Sequence, residues 1–336
     1  MEKKRKGALP LAMPASRYLA GPIAWYSFLI VAGAALAIFL AHREAKRIGL
    51  PQDTILDLAL WLLPMGIIGA RIYYVAFSWA EFADHPLSVL YIWEGGIAIY
   101  GAILAGLITV ILFCRRRRLP VLLLCDLIAP GLVLAQAIGR WGNYFNMEAY
   151  GPAIQDPRLQ FFPLAVLIPE GGGNVWHLAT FFLESAWDFA IFLFLLFARR
   201  KWLRRHGDVF FFYAFLYVAG RLVIEDFRTD SLYSGGIRIS QLLSLAVMIG
   251  LLIFYLVTGK SRPRKSALPG QLLIGCALVL SLPVLGYTLG LPFLRPEGFR
   301  DRCLLLCGFS LLAILALFFH YGHSDPSEVI YACDKV

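Results

Sequence analysis

Long apolar segments recur along this chain of 336 residues, and they constrain its fold more than any other feature. Hydrophobic residues make up 59% of the sequence, whereas charged residues make up only 16%. A helix that crosses a bilayer needs roughly 20 mostly apolar residues, and a helix satisfies its own backbone hydrogen bonds in lipid. The sequence therefore predicts an all-α polytopic membrane protein. The predicted spans cover residues 21–41, 56–77, 96–113, 121–138, 180–197, 209–224, 239–257, 271–291 and 303–320.

The basic residues behind the net charge of +9 lie between the predicted spans, which argues against a nucleic-acid partner. Sixteen of them follow spans one, three, five and seven, whereas four follow spans two, four and six. By the positive-inside rule, the basic loops face the cytoplasm and the N-terminus lies outside. A basic N-terminal tail disagrees with this orientation, but four loops outweigh one tail. The tail residues are Lys3, Lys4, Arg5 and Lys6, and the loops after spans five and seven include Arg204, Arg205, Lys260, Arg262, Arg264 and Lys265.

Polar groups collect at the predicted outer ends of the spans, although ionisable side chains within a bilayer are costly. The densest group is the segment GRWGNYFNMEAYG at residues 139–151, which follows the fourth span. It holds Arg140, Asn143, Asn146 and Glu148 between three glycines and several aromatic residues. A span that ends in so many hydrogen-bonding groups predicts a binding site for a polar headgroup at the membrane surface.

Two arginines, Arg140 and Arg221, stand beside glycine at predicted outer span ends. A guanidinium group suits bidentate binding of a phosphate diester, so two arginines from different helices would form a phosphate clamp. Arg221, Glu225 and Arg228 have the spacing i, i+4 and i+7, and we expect them to share one helix face. An anion transporter would carry similar arginines, so this pattern alone leaves both a transporter and an enzyme open.

Other polar residues have a structural interpretation beside a functional one. Arg71 either extends to the interface or belongs to the site. Glu184 is expected to pair with an arginine rather than transfer protons, and Asp188, one turn further along the same face, is expected to be paired too. His177 is expected to be structural. The outer segment at residues 150–176 is predicted to be an interfacial segment or a lid.

The segment at residues 139–151 resembles the signature of the phosphatidylglycerol–prolipoprotein diacylglyceryl transferase family, bacterial enzymes that lipidate lipoprotein precursors. Further family-like segments follow in the expected order, and the resemblance covers roughly residues 18–258. They contain Tyr26, Gly69-Ala-Arg71, Trp93-Glu-Gly-Gly96 with Tyr100-Gly101, Thr180 with Glu184-Ser185, Gly220-Arg221 with Glu225 and Arg228, and Ser240-Gln241.

The resemblance implies transfer of the diacylglyceryl group of phosphatidylglycerol to the lipobox cysteine of a prolipoprotein. The reaction forms a thioether, releases glycerol phosphate and is the first step of lipoprotein maturation. The resemblance also implies a site at the outer leaflet of the bacterial cytoplasmic membrane, with no metal or organic cofactor.

The resemblance assigns roles to individual residues. Arg140 and Arg221 would be catalytic, because positive charge at the phosphate leaving group lowers the barrier. Both would also bind phosphatidylglycerol. Gly151 is expected to let the backbone turn tightly. The other substrate-binding residues implied by the resemblance are Tyr26, Asn143, Asn146, Glu148, Glu225 and Arg228.

Tyr100 departs from the family pattern, because many members have at this position a histidine proposed to activate the substrate thiol. An ordinary tyrosine stays protonated at neutral pH. Either Tyr100 acts in catalysis through a hydrogen bond to the substrate, or the thiol loses its proton to another group or to water.

The C-terminal part of the chain is the second departure, because it adds two apparent spans to the seven of the family. We divide the chain into a basic tail at residues 1–17, a seven-span transferase domain at 18–258 and a C-terminal extension at 259–336. The acidic end of the extension, with Asp325, Glu328 and Asp334, is predicted to be cytoplasmic. The two departures keep open a catalytically silent paralogue, and the arginines keep open an anion or lipid-phosphate transporter.

Overall fold

The computed structural model of the chain describes residues 12–14, 16–201, 203, 206–231, 233–234, 237–259, 268–289 and 299–322. Some residues used in the topology prediction lie outside these described residues, and the acidic C-terminal end does too. They are Lys3, Lys4, Arg5, Lys6, Arg204, Arg205, Lys260, Arg262, Arg264, Lys265, Asp325, Glu328 and Asp334.

The described chain is mostly helical, as predicted, and a helix overlaps each of the nine predicted apolar stretches. Among the described residues, six helices are long and apolar enough to cross a membrane: α1 to α5 and α9. The helix α6 and the described apolar parts of α7 and α8 are shorter. The number of crossings and the side of the N-terminus therefore stay predictions. The bounds are α1 Trp25–Arg47, α2 Thr54–Phe77, α3 Ile99–Arg117, α4 Val121–Asn146, α5 Thr180–Lys201, α6 Asp208–Ile224, α7 Ile239–Gly259, α8 Leu268–Thr288 and α9 Phe299–Gly322.

Short antiparallel hairpins join some of the helices, and the all-α prediction missed them. The longest hairpin among the described residues lies in the segment between α4 and α5, and the first four residues of its first strand are buried. An apolar run forms that strand, and Gly171 and Gly172 supply positive φ angles of 57° and 85° at the turn. The strands are β1 Tyr18–Ala20 with β2 Ile23–Ala24, β3 Ala165–Glu170 with β4 Gly173–Leu178, and β5 Tyr233–Ser234 with β6 Ile237–Arg238.

The chain forms two compact units. The first unit comprises the described residues within 12–34, 132–203 and 211–322, and the second comprises those within 35–131 and 206–210. In the first unit, an apolar cluster packs the end of α4 and the start of α5 against β3. This cluster contains Tyr144, Val166, Ile168, Ala179 and Phe181.

In the second unit, α2 and α3 approach each other through glycine. A Cβ atom on Gly101 would collide with the backbone carbonyl of Gly69, and a Cβ atom on Gly69 would lie 2.7 Å from the carbonyl oxygen of Gly101. Small residues let helix backbones approach this closely in membrane proteins. The contact fixes the first turn of α3, where Tyr100 lies.

Candidate active site

In the first unit, Arg140, Glu184 and Arg221 meet near the ends of three helices. Arg140 lies in the last two turns of α4, Glu184 in the second turn of α5, and Arg221 in the last turn of α6. Arg140 Nε lies 2.9 Å from Glu184 Oε2, and Arg221 Nη1 pairs with Glu184 Oε1. One carboxylate therefore holds both guanidinium groups side by side. The expected pairing of Glu184 with an arginine is confirmed.

The end of α6 differs from the prediction that Arg221, Glu225 and Arg228 share one helix face. The α-helix ends one residue before Glu225, and a 3₁₀ turn covers the next three residues. Arg228 then has an extended backbone, with φ −80° and ψ 138°. The i, i+4 contact is present, because Arg221 Nη2 lies 2.7 Å from Glu225 Oε2. The prediction was wrong for Arg228, because the chain leaves the helix before it reaches this residue.

Arg228 binds Asp230 as well as the cluster. Its Nε and Nη2 atoms donate hydrogen bonds of 3.0 and 2.9 Å to the carboxylate of Asp230, and its Nη1 atom lies 3.8 Å from Glu184 Oε1. Partial burial alone would raise the pKa of Asp230, but the hydrogen bonds and positive charge of Arg228 outweigh it, so the pKa is lowered. Three arginines thus surround Glu184.

The cluster pairs opposite charges although it is largely buried. The side chains of Glu184 and Glu225 are 5% and 1% exposed, and those of the three arginines are 13–21% exposed. Charges buried this far need opposite charge nearby. Arg140 contacts Glu184 through its Nε atom, and its Nη2 atom lies 3.4 Å from the hydroxyl of Tyr217. Since a guanidinium group has five N–H donors, Arg140 keeps donors for an anion.

Asp188, one turn further along α5, lacks the direct partner that was expected. It is 3% exposed, and its Oδ2 atom has no hydrogen-bond partner in the described part of the chain. Arg140 and Arg221 are near enough to act on it electrostatically. Asp188 therefore interacts with the two arginines electrostatically and not through a direct contact.

The chain turns sharply just after α4. Met147 and Ala149 both have a left-handed backbone, each with φ 54°, although neither is glycine. The backbone N–H of Glu148 donates to the carbonyl of Asn143 at 3.0 Å, and the hydroxyl of Thr180 donates to the carbonyl of Ala149 at 2.6 Å. These bonds hold a strained segment directly beyond the helix that carries the first arginine.

The polar side chains of this turn form a small network. Asn146 Nδ2 donates to Glu148 Oε1 at 3.0 Å, and Arg17 Nε donates to Asn146 Oδ1 at 3.0 Å. Asn143 and Glu148 also line a cavity of about 10 Å³, which has room for roughly one water molecule and is bounded mainly by apolar side chains.

Gly151 and Tyr26 lie against this segment because of close packing. A Cβ atom on Gly151 would lie 2.8 Å from the carbonyl oxygen of Phe227, and Gly151 does not have the positive φ of a tight turn. The expected reason for this glycine was therefore wrong, since a close approach and not a turn requires it. The ring of Tyr26 lies so close to Gly142 that a Cβ atom there would collide with it.

His177 has the structural role expected for it. Its Nδ1 atom lies 2.8 Å from the carbonyl oxygen of Gly151, and its ring centroid lies 4.9 Å from that of Tyr150. His177 belongs to β4, so it ties the hairpin to the segment after α4.

In the second unit, Arg71 organises the loop before α3. Arg71 is 7% exposed, and its guanidinium group binds backbone carbonyl groups of this loop. Whether Arg71 lies at the interface or belongs to the site is not tested by these contacts, and both stay predictions. Gly95 and Gly96 have positive φ angles of 95° and 67°, which turn their carbonyl groups toward this arginine. Its hydrogen bonds go to the carbonyls of Ser88 (2.8 Å), Val89 (2.8 Å), Gly95 (2.7 Å), Gly96 (2.8 Å) and, at a longer distance, Tyr91 (3.5 Å).

Tyr100 belongs to the second unit and lies in the first turn of α3. Its ring is half-buried, with its centroid 6.3 Å from that of Tyr73. The catalytic role of Tyr100 stays a prediction.

Sequence reasoning missed three partners of the site, Tyr217, Arg17 and Asp230. Tyr217 lies four residues before Arg221 on α6, so the helical period could have identified it. Arg17 and Asp230 lie outside the helices, where no periodicity indicates which residues meet.

Arginines paired with buried carboxylates near the ends of apolar helices define a class, a helical membrane protein with a buried cluster of charged side chains. Comparison with known proteins identifies the family. Residues 15–257 match the family model described as prolipoprotein diacylglyceryl transferase. The chain belongs to this family of transferases.

Similar relatives are phosphatidylglycerol–prolipoprotein diacylglyceryl transferases from several bacteria. The chain is 46% identical to the Limosilactobacillus reuteri protein over 238 residues, which are 70% of this chain and 86% of the relative. It is 42% identical to the Enterococcus faecalis protein over 240 residues (70% and 86%) and 43% identical to a Streptococcus agalactiae protein over 228 residues (68% and 88%). The family match ends before α8, so the last two helices lie outside it.

Proposed function

We propose that this chain transfers the diacylglyceryl group of phosphatidylglycerol to the lipobox cysteine of a prolipoprotein, at the outer leaflet of the bacterial cytoplasmic membrane. The observation that carries the proposal is the pairing of Arg140 and Arg221 with the two oxygens of Glu184. Two guanidinium groups held this close can bind one phosphate. Family membership supports the reaction class.

The charge that develops during the reaction explains the need for two arginines. The phosphodiester carries one negative charge. When the bond between the glyceryl carbon and the ester oxygen breaks, the departing glycerol phosphate gains a second negative charge. Hydrogen-bond donors fixed at that position stabilise the transition state more than they stabilise the bound lipid before it reacts. The cysteine sulfur forms the new bond to the same carbon, and the thiol proton passes to an acceptor.

The last turn of α4 and the segment after it are proposed to hold the glycerol headgroup. Asn143, Asn146 and Glu148 supply amide and carboxylate groups that can form hydrogen bonds with the hydroxyl groups of a polyol. Tyr26 and Gly151 support this segment by packing. Glu225 and Arg228 are proposed to orient the arginine cluster, because both contact its members.

Tyr100 is proposed as a catalytic residue that donates a hydrogen bond to the substrate. A tyrosine hydroxyl is a good donor at neutral pH and a poor proton acceptor. The acceptor of the thiol proton is then another group or water.

The charge distribution along α5 supports an outer-leaflet site. Glu184 lies near the start of the helix, and Arg199, Arg200 and Lys201 lie in its last turn. Under the positive-inside rule, the basic end faces the cytoplasm, so the cluster faces outward. Transporter sites usually lie near the membrane midplane, which makes a cluster at helix ends more consistent with a transferase.

An assay with purified protein, phosphatidylglycerol and a lipobox peptide tests the proposal. We expect a mass gain of one diacylglyceryl group on the cysteine and release of glycerol phosphate. Arg140→Ala and Arg221→Ala should each lower kcat by about 10²- to 10³-fold while membrane insertion is unchanged. Arg117→Ala is the matched control, because Arg117 pairs with Asp57 at an exposed position and should leave kcat unchanged.

Full activity in both cluster variants would contradict the phosphate clamp. A wild-type protein that moves lipid phosphate between leaflets without modifying the peptide would instead indicate a transporter. A folded wild-type protein with neither activity would indicate a silent paralogue.

A further inference from the structure

Asp226 follows Glu225 directly in the turn after α6, and three different elements converge on its carboxylate. The residue is 7% exposed. Its Oδ1 atom accepts hydrogen bonds from Arg238 Nη1 of β6 at 2.7 Å and from the hydroxyl of Tyr287 of α8 at 2.5 Å. Arg302 Nε of α9 lies 3.8 Å from its Oδ2 atom.

Two of these three partners come from the C-terminal extension. Tyr287 and Arg302 lie on α8 and α9, which the family match at residues 15–257 does not include. The extension therefore has a polar attachment point, and this point is on the transferase domain, in the turn that also carries Glu225 and Arg228.

The turn that holds Asp226 is joined to the arginine cluster on its other side. Glu225 Oε2 lies 2.7 Å from Arg221 Nη2, and the carbonyl oxygen of Glu225 accepts a hydrogen bond of 3.1 Å from Arg238. A 3₁₀ turn of three residues has few backbone hydrogen bonds of its own. Its position therefore depends on side-chain contacts, and a shift of the turn would move the carboxylate that orients Arg221.

We propose that Tyr287 and Arg302 of the C-terminal extension are positioning residues for the phosphate clamp, and that they act through Asp226 and Glu225 on Arg221. The proposal rests on the proposed function, because transferase activity is its readout. It gives the two helices beyond the family match a role in the reaction rather than only in the membrane.

Other contacts dock the extension independently of Asp226. The Ser310 hydroxyl lies 3.4 Å from the carbonyl oxygen of Ala219, and the ring centroid of Phe318 lies 5.3 Å from that of Phe194 and 5.4 Å from that of Phe212. The loss of one hydroxyl from Tyr287 should therefore leave α8 and α9 in place. Positioning and docking can be tested separately.

The test is the kinetics of full-length Tyr287→Phe, which removes only the hydroxyl that binds Asp226. We expect kcat to fall on the order of 10-fold, because a small displacement of a substrate-binding group has a large effect on rate, while KM for the peptide is unchanged. Asp226→Asn should lower kcat as well. Adding Tyr287→Phe to Asp226→Asn should cause little further loss, because both changes break one connection.

Two variants control for packing. Ser281→Ala removes a hydroxyl of α8 that, among the described residues, bonds within its own helix, to the carbonyl of Leu278 at 2.6 Å. This change should alter neither kcat nor Tm. Phe318→Leu weakens docking of α9 and should lower Tm without lowering kcat.

An unchanged kcat in both Tyr287→Phe and Arg302→Gln would overturn the proposal, even if Tm fell. A loss of kcat from Tyr287→Phe that adds fully to the loss from Asp226→Asn would overturn it as well. If Tyr287→Phe does not accumulate in the membrane, Arg302→Gln decides the question, because this arginine is one-third exposed and tolerates change better. Absence of transfer by the wild-type protein would count against the proposed function instead.

Discussion

At the scale of single residues, the geometry of the site depends on Glu184. Its two carboxylate oxygens each bind one arginine, and a third arginine lies 3.8 Å away. Without this carboxylate, Arg140 and Arg221 would face each other as partly buried like charges. Removing one member of a buried ion pair costs more than the pair contributes, because the remaining charge loses its compensation.

We predict that Glu184→Gln lowers both activity and stability. Glutamine keeps the shape of the side chain but loses the negative charge, so the arginines should separate. The expected effects are a fall in kcat of roughly 100-fold and a loss of about 3 kcal/mol in the free energy of unfolding. Peptide lipidation and thermal unfolding in detergent measure the two effects.

Asp57→Asn is the matched control, since Asp57 also pairs with an arginine but at an exposed position. It should leave kcat unchanged. A Glu184→Gln protein with wild-type turnover would show that the shared carboxylate does not position the arginines.

At the scale of elements, the turn after α4 is held by its neighbours more than by its own sequence. The N–H of Gly151 donates to the carbonyl of Leu178 at 2.7 Å, and His177 and Thr180 bind carbonyls of the same turn. The hairpin β3–β4 and the start of α5 thus fix the two left-handed residues of the turn. Strained backbone persists only where the surrounding structure determines it in this way.

We expect Gly151→Ala to disturb both the turn after α4 and the turn after α6. The added Cβ atom would lie 2.8 Å from the carbonyl oxygen of Phe227, which is backbone and cannot rotate away. Tm should fall, and kcat should fall on the order of 10-fold because Arg228 follows Phe227 directly.

The control for this change is Gly173→Ala, where the nearest heavy atom would be 3.9 Å away. Its Tm and kcat should match those of the wild type. If Gly151→Ala behaved like this control, the close approach would not be essential.

At the scale of the whole molecule, the distribution of charge predicts the orientation in the membrane. The loops after predicted spans one, three, five and seven hold most of the Lys and Arg residues between spans. We predict that a membrane-impermeant thiol reagent labels Arg158→Cys in intact cells and labels Arg116→Cys only after the membrane is opened. Wild-type protein treated in parallel corrects for its native cysteines. The reverse pattern of labelling would invert the topology and remove the outer-leaflet site.

Much of the architecture could be predicted because each helix depends mainly on its own residues. Apolar runs of about 20 residues have few alternatives to helix in lipid. The hairpin β3–β4 was missed, because pairing of two six-residue strands depends on a turn and on packing that a periodicity does not show. Arg228 was placed on a helix face for a similar reason, since the sequence does not show that α6 ends before Glu225.

By itself, the sequence determined the helical class, the polar segment at residues 139–151 and the identity of the two arginines. These features depend on local composition and on short spacings along one segment. Only the tertiary structure decided that one carboxylate joins both arginines, that Arg71 binds a loop, and that Tyr287 and Arg302 of α8 and α9 contact Asp226. Such contacts join residues from 17 to more than 70 positions apart, and the geometry of the packed helices alone determines which of them meet.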